Sequence, residues 1–166
     1  MTIAEVHDKP GHLIRRCQQI AVGLFLDRCA AFDLTPPQYA VLRTAAAEPG
    51  IDQMTLGGLT ALDRSSTARL CAALEARGLL RRTPDPADRR ALRLDLTPAG
   101  HDLLIRAEPA VAEVQEALLA PLAPALREAF LTALRTLTVA HNAQSRAPLR
   151  EAGEPARRAQ PECVLP

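Results

Sequence analysis

The sequence has no tryptophan, one tyrosine and three phenylalanines, too few large rings to fill the core of an aromatic-rich β-sandwich. Leu, Ala and Val must supply the core instead, and an α-rich fold is expected. No charge sign is in excess either: 20 Lys and Arg stand against 19 Asp and Glu, a net of +1. Any claim on nucleic acid must therefore rest on where charge sits. Lysine is nearly missing, with Lys9 alone. We read the preponderance of Arg, beside abundant Ala and Pro, as coding bias before phosphate recognition. Four cysteines (Cys17, Cys29, Cys71, Cys163) form no C-x-x-C pair, so neither a zinc site nor a disulfide framework is expected, and a reducing cytoplasm fits. There is no uninterrupted run of about 18 apolar residues and no basic segment leading into an apolar one at the N-terminus. A soluble cytoplasmic protein without membrane contact follows. The paired glycines Gly57-Gly58 do not form a phosphate loop, and no Ser-His-Asp, metal or paired-carboxylate constellation stands out. No enzymatic activity, metal or cofactor is expected. The 166 residues allow one compact domain, or a small domain with helical extensions.

What is there is helical periodicity broken by caps and stops. From about Pro10 to Phe32, Leu13, Cys17, Ile20 and Leu24 form one apolar stripe, which predicts a long first helix with Cys17 in a core. Thr35-Pro36-Pro37-Gln38 opens a second helix through a capping box, and Leu34 with Tyr39 has the spacing of a hydrophobic staple. Pro49-Gly50 ends it. Thr55 is placed to cap a short third helix reaching Leu62. Asp63 is placed to cap a fourth, whose Thr67, Leu70, Cys71 and Leu74 share one face and which Gly78 stops. Leu79 to Thr83 and Ala91 to Leu96 read as strands, with Leu92, Leu94 and Leu96 facing inward, joined by the polar loop 84–90. Thr97-Pro98 starts a fifth helix with a seam of Leu104, Ala107, Val111, Val114 and Leu118, and Pro109 predicts a bend in it. A sixth runs from about Pro124 to Ala143. The last residues, with Pro148, Pro155, Pro161 and Pro166 among charges, read as a disordered tail.

Two short capped helices followed by a hairpin outline a winged helix-turn-helix, a pattern that also occurs in proteins that never touch DNA. Charge placement narrows it. The fourth helix carries Arg64, Ser65, Ser66 and Arg69 at its N-terminal end and outer face, where a recognition helix meets base edges. Arginine can take guanine O6 and N7 in a bidentate bond, and serine serves bases or phosphates. At the hairpin tip, Asp88, Arg89 and Arg90 add a basic point: Arg90 can enter a narrow minor groove, and Asp88 can hold its guanidinium.

Leu62-Asp63-Arg64-Ser65-Ser66-Thr67, Leu74-Glu75-Ala76-Arg77-Gly78-Leu79, Asp88-Arg89-Arg90 and Leu96-Thr97-Pro98-Ala99-Gly100 occur in the order and spacing of the MarR family, the multiple antibiotic resistance regulators. The resemblance covers roughly residues 10 to 145. It implies a homodimeric repressor on a palindromic double-stranded operator, with the first, fifth and sixth helices packing against their counterparts. It also implies a cleft for a small-molecule inducer between those helices and the winged domain. Gly11-His12-Leu13-Ile14-Arg15-Arg16 with Thr35-Pro36-Pro37-Gln38-Tyr39 resembles members that sense aromatic acids or their coenzyme A thioesters. His12, Arg16 and Arg43 are then candidates to pair with a carboxylate, and Tyr39 to stack or hydrogen-bond. Urate-responsive relatives use a Trp that this chain lacks. Peroxide-sensing relatives place their reactive Cys nearer Gly11 than Cys17 and use tyrosine partners.

The expected organisation is a single unit over 1–146 and a disordered tail over 147–166. Dimerisation helices occupy about 10–33 and 98–145, and the winged helix-turn-helix about 35–96. Two alternatives remain at this point: a repressor switched by cysteine oxidation, and a winged helix that binds only protein.

Overall fold

The computed structural model describes residues 3–85 and 92–151. Over these the chain is mainly helical with one three-stranded sheet. A short α1 (Ile3–His7), not foreseen from sequence, precedes α2 (Pro10–Arg28). The foreseen first helix is thus α2 plus a 3-10 turn (Ala30–Phe32), closed by Asp33 at φ 49. Thr35 and Gln38 form the capping box that launches α3 (Pro36–Ala47), Gln38 Oε1 accepting the Thr35 N–H at 2.9 Å.

A two-residue strand, β1 (Ile51–Asp52), follows, and Asp52 caps α4 (Gln53–Leu59). The cap therefore lies three residues before Thr55. One Asp52 carboxylate oxygen accepts the Met54 and Thr55 N–H groups at 2.8 and 2.9 Å, and the other takes the Thr55 hydroxyl. Asp63 caps α5 (Arg64–Ala76), which stops at Arg77 and Gly78, the latter at φ +69 where an added Cβ would be strained. β2 (Leu80–Pro84) and β3 (Leu92–Leu96) pair antiparallel from Leu80↔Leu96 to Pro84↔Leu92. β1 joins β3 at Ile51↔Leu94, so the strand order is β1-β3-β2. Leu94 and Leu96 face inward, but Leu92 is 40% exposed. It sits at the outer end of the ribbon, opposite Pro84.

The core of this unit takes one fully buried leucine from each of five elements: Leu42, Leu56, Leu74, Leu80 and Leu94. Long α6 (Pro98–Leu119) then packs along α2 and α3, and its foreseen seam supplies buried Leu104, Ala107 and Val114. α6 continues through Pro109 as one helix, and the sharp turn of 101° comes at its junction with α7 (Pro124–Ala140). No single described helix is long and apolar enough to cross a membrane. α2 buries Phe25 in the core, as does Cys29 just after the helix ends, whereas Leu13, Cys17 and Ile20 are exposed. Cys17 is therefore not a core residue of this chain: of its stripe, only Leu24 packs against the core. α7 has no buried residue, although Leu126 and Val139 are apolar and 56% and 78% exposed.

The tail foreseen from residue 147 begins with ordered contacts. Leu149 and Arg150 bond to Asn142 and Gly58, and residues 152–166 lie outside the described part.

The winged unit meets α6 at a tight junction. Thr97 N–H donates to the Leu79 carbonyl at 3.1 Å, its hydroxyl donates to the Gly78 carbonyl at 2.6 Å, and its Oγ1 accepts the Gly100 N–H at 3.1 Å. This draws Gly100 onto the chain entering β2: a Cβ there would overlap the Leu79 carbonyl oxygen and lie 3.1 Å from Leu96 Cγ. Backbone cannot swing aside as a side chain can. Gly100→Ala is therefore expected to destabilise the protein by about 1–3 kcal/mol, outweighing the helix preference of Ala, which favours it by roughly 1 kcal/mol. A fall in the urea unfolding midpoint at unchanged m-value is the expected reading.

Candidate nucleic-acid interface

The N-terminal end of α5 is built by Asp63. Its Oδ1 accepts the Ser66 N–H at 2.8 Å and the Ser65 hydroxyl at 2.7 Å, and its Oδ2 accepts the Ser66 hydroxyl at 3.0 Å. These bonds hold the carboxyl at about 2, well below its ordinary 3.8, the Ser66 backbone bond contributing most and the two hydroxyls next. Ser65 and Ser66 thus serve the cap, their hydroxyls donating to Asp63. Arg64 and Arg69 are exposed, and neither has an ion pair or hydrogen bond among the described residues.

Three other arginines of the winged unit are tied down. Arg77 donates to the Asp33 and Phe32 carbonyls at 2.6 and 3.3 Å, fastening the end of α5 to the turn after α2. Arg82 pairs with Glu75, its Nε 2.6 Å from Oε2, which lowers the Glu75 pKa. Arg93 pairs with Asp85 at 3.1 Å. Arg81, which sequence did not single out, is exposed on β2 with no ion pair among the described residues. Its outward position in the strand alternation was the available signal. Asp88, Arg89 and Arg90, the foreseen hairpin tip, lie outside the described residues.

α5 is set by α4. The two meet where Gly57 faces Thr67: a Cβ at Gly57 would lie 2.7 Å from Thr67 Oγ1, and Thr67 is buried with its hydroxyl donating to the Asp63 carbonyl at 2.8 Å. The connection between them passes through Ala61 at φ 51, and the Leu62 N–H donates to the Gly57 carbonyl at 2.9 Å.

The foreseen ligand residues fall into two groups. Tyr39 packs its ring on Phe25 with centroids 6.0 Å apart, and its hydroxyl donates to Glu108 Oε2 at 3.0 Å. Arg43 approaches the same carboxylate at 3.9 Å. Burial first, then the Glu108 bond, raises the Tyr39 pKa, with Arg43 opposing. Glu108 was not foreseen: it is 69 residues from Tyr39, and only the packing of α6 on α3 brings it there. His12 stacks on His7 at 4.8 Å, and Arg16 donates to Gln19 at 2.9 Å. No hydrogen bond, ion pair or ring contact joins His12 or Arg16 to Tyr39 or Arg43. Among the described residues no group of His, Cys, Asp and Glu is placed to hold a metal. Cys29 and Cys71 are buried, which raises both thiol pKa values.

A capped helix pair, a three-stranded wing and flanking long helices define a winged helix-turn-helix regulator. The MarR family model matches residues 32–91. Transcriptional regulator HosA of Escherichia coli O111:H- is 39% identical over 105 residues, which are 63% of this chain and 78% of HosA. Among solved structures, the transcriptional repressor CouR bound to a 23-mer DNA duplex superposes with a TM-score of 0.77 at 33% identity, over 83% of this chain and 98% of CouR. Bordetella bronchiseptica BpsR, whose DNA binding is regulated by 6-hydroxynicotinic acid, superposes with a TM-score of 0.76 at 30% identity, over 80% and 94%. The chain belongs to the MarR family of transcriptional regulators.

Because Asp63 titrates lower in the folded state (about 2) than its ordinary 3.8, its contribution to the start of α5 is complete above about pH 4. It is lost as pH falls through 2. Asn caps a helix as well as Asp does but does not titrate. Asp63→Asn is expected to flatten the acid limb of unfolding between about pH 4 and 2, read as thermal midpoint against pH. An acid limb identical to wild type would show that the cap bonds do not hold in solution.

Proposed function

We propose that the chain is a homodimeric, sequence-specific repressor that binds a palindromic duplex operator in the cytoplasm and is released by a small aromatic acid or its coenzyme A thioester. The observation that carries the DNA-binding part is the pair Arg64 and Arg69, exposed on α5 with no ion pair or hydrogen bond among the described residues, while Arg77, Arg82 and Arg93 are held within the fold. Side chains held by no partner are available to guanine edges and phosphates. In this reading Ser65 and Ser66 add hydroxyl contacts, and Asp88, Arg89 and Arg90 form a wing tip in the adjacent minor groove. A winged helix that binds only protein leaves Arg64 and Arg69 without a role.

The exposed apolar faces of α2 (Leu13, Ile14, Ile20) and α7 (Leu126, Leu137, Val139) support a second copy as their cover. Two copies would set their α5 helices into successive major grooves about 34 Å apart. Cys17 lies on that same α2 face, so its exposure in one chain is weak support for a redox switch. Peroxide that releases DNA from wild type but not from Cys17→Ser would replace the ligand reading.

For the inducer, Glu108 supports the site around Tyr39 and Arg43. It is a carboxylate already accepting from one and neighbouring the other, so an incoming aromatic carboxylate competes for both, with His12 and Arg16 as further candidate contacts. Release requires that the ligand prefer the arrangement that does not fit DNA; tight binding alone shifts nothing.

Operator sequences selected by the wild-type protein from random duplexes are expected to be palindromic. Arg69→Ala is expected to lose roughly 1–3 kcal/mol of discrimination at one base pair, while Arg90→Ala weakens binding about tenfold or more, near 1.4 kcal/mol. Equal weakening on operator and random DNA would demote Arg69 to a phosphate contact. Aromatic acids and their thioesters, screened for release of the selected operator, are expected to act on wild type and less on Tyr39→Phe, His12→Ala or Arg16→Ala. Release by none of them would end the inducer assignment and leave the repressor assignment standing.

A further inference from the structure

After α7 the chain turns back onto the winged unit. Asn142 closes the turn with both ends of its side-chain amide: Nδ2 donates to the Leu149 carbonyl and Oδ1 accepts the Leu149 N–H, each at 2.8 Å. Ser145 braces the interior, donating to the Ala147 carbonyl at 3.1 Å and accepting its N–H at 3.2 Å. Arg150 is thereby presented to α4 in a fixed place. Its N–H donates to the Gly58 carbonyl at 2.9 Å, and its stem crosses Gly58 so closely that a Cβ there would lie 2.6 Å from Cδ and 3.0 Å from Cγ.

Gly58 needs no special backbone conformation, since its φ is not among the positive values. Its missing side chain is the seat of the arginine stem. Nη1 of Arg150 is buried and has no hydrogen-bond partner among the described residues, so no ion pair at that nitrogen holds the side chain. The backbone bond and the packed stem do. The preceding residue, Gly57, admits Thr67 of α5 just as closely. Successive helical residues point about 100° apart, so the two glycines give α4 two seats, one for the chain following α7 and one for α5.

We propose that Arg150 is a positioning residue for α5: by seating on Gly58 it ties α4, and through Gly57 and Thr67 also α5, to the end of α7. Its effect on operator affinity rests on the reading of α5 as the DNA-contacting helix; the tie itself does not.

Both parts are testable in the full-length protein. Arg150→Ala is expected to raise amide hydrogen exchange in α4 and α5 by about fivefold, with α2 and α6 unchanged. Gly58→Ala should do the same by unseating the stem, even though Ala is the better helix former. The double variant should equal either single one, as expected for two changes that remove one contact. Arg150→Met, which keeps a packed stem and drops the buried donor, should behave as wild type. Affinity for the selected operator should fall about fivefold with the first three variants and hold with Arg150→Met. Unchanged exchange in Arg150→Ala and Gly58→Ala, or additive losses in the double variant, would overturn the proposal. So would Arg150→Met weakening the operator as much as Arg150→Ala with a shallower salt dependence, because that marks a phosphate contact. If wild type selects no duplex at all, the repressor reading fails, and the exchange data alone decide the tie.

Discussion

The close approach of Gly100 to the Leu79 carbonyl is the constraint on which the arrangement of the two halves depends. Thr97 makes it: one residue receives the end of β3, bonds to the carbonyls of Gly78 and Leu79 that follow α5, and caps α6. The exit of α5, the entry of β2 and the start of α6 therefore share one small volume. α6 has little freedom to tilt against the wing without breaking these bonds. Since α6 also carries the packing of α2 and α3, the junction transmits the orientation of the winged unit to the long helices.

What sequence disclosed and what it hid divide along the range of the interaction. The Thr35 and Gln38 box, the Asp63 cap, the Gly78 stop and the Thr97 cap all close within a few residues, and residue type alone points to them. The seam of α6 was legible for the same reason, through its spacing. β1 is two residues long and exists only because β3 lies beside it, so no period announces it. The Asp52 cap was hidden by the equally suitable Thr55. Leu92 and Cys17 follow the periodicity of their elements but stand where the chain's own core does not reach. Glu108 is the clearest case: a carboxylate on the outer side of a helix becomes the partner of Tyr39 and Arg43 only through tertiary packing.

The charge balance takes on meaning in the same way. A net of +1 gives no long-range attraction to a polyanion, and the fold neutralises Arg77, Arg82 and Arg93 against its own carbonyls and carboxylates. Among the described residues of the winged unit, what remains is a local set, Arg64 and Arg69 on α5 with Arg81 on β2. Few phosphate contacts mean a modest salt slope, so on the proposed reading specificity must come more from base edges and groove shape than from bulk attraction.

On the proposed reading, a dimeric repressor of this build needs its two α5 helices to keep a separation that the long helices set. The Tyr39–Glu108 bond links α3 to α6, and the Thr97 junction then links α6 to the wing. On the proposed reading that is one route from the inducer to DNA. The seat of Arg150 on Gly58 is a second connection that bypasses the cleft, running from α7 to α4. With one connection the winged unit could pivot about it; with two, at separate points, pivoting must strain one or the other. On the proposed reading an inducer competing for Tyr39 and Arg43 perturbs the first route while the second stays seated. The resulting motion of α5 would then be a rotation about the α4 contact rather than a free release, and a small rotation suffices to put two helices out of step with grooves that both must enter.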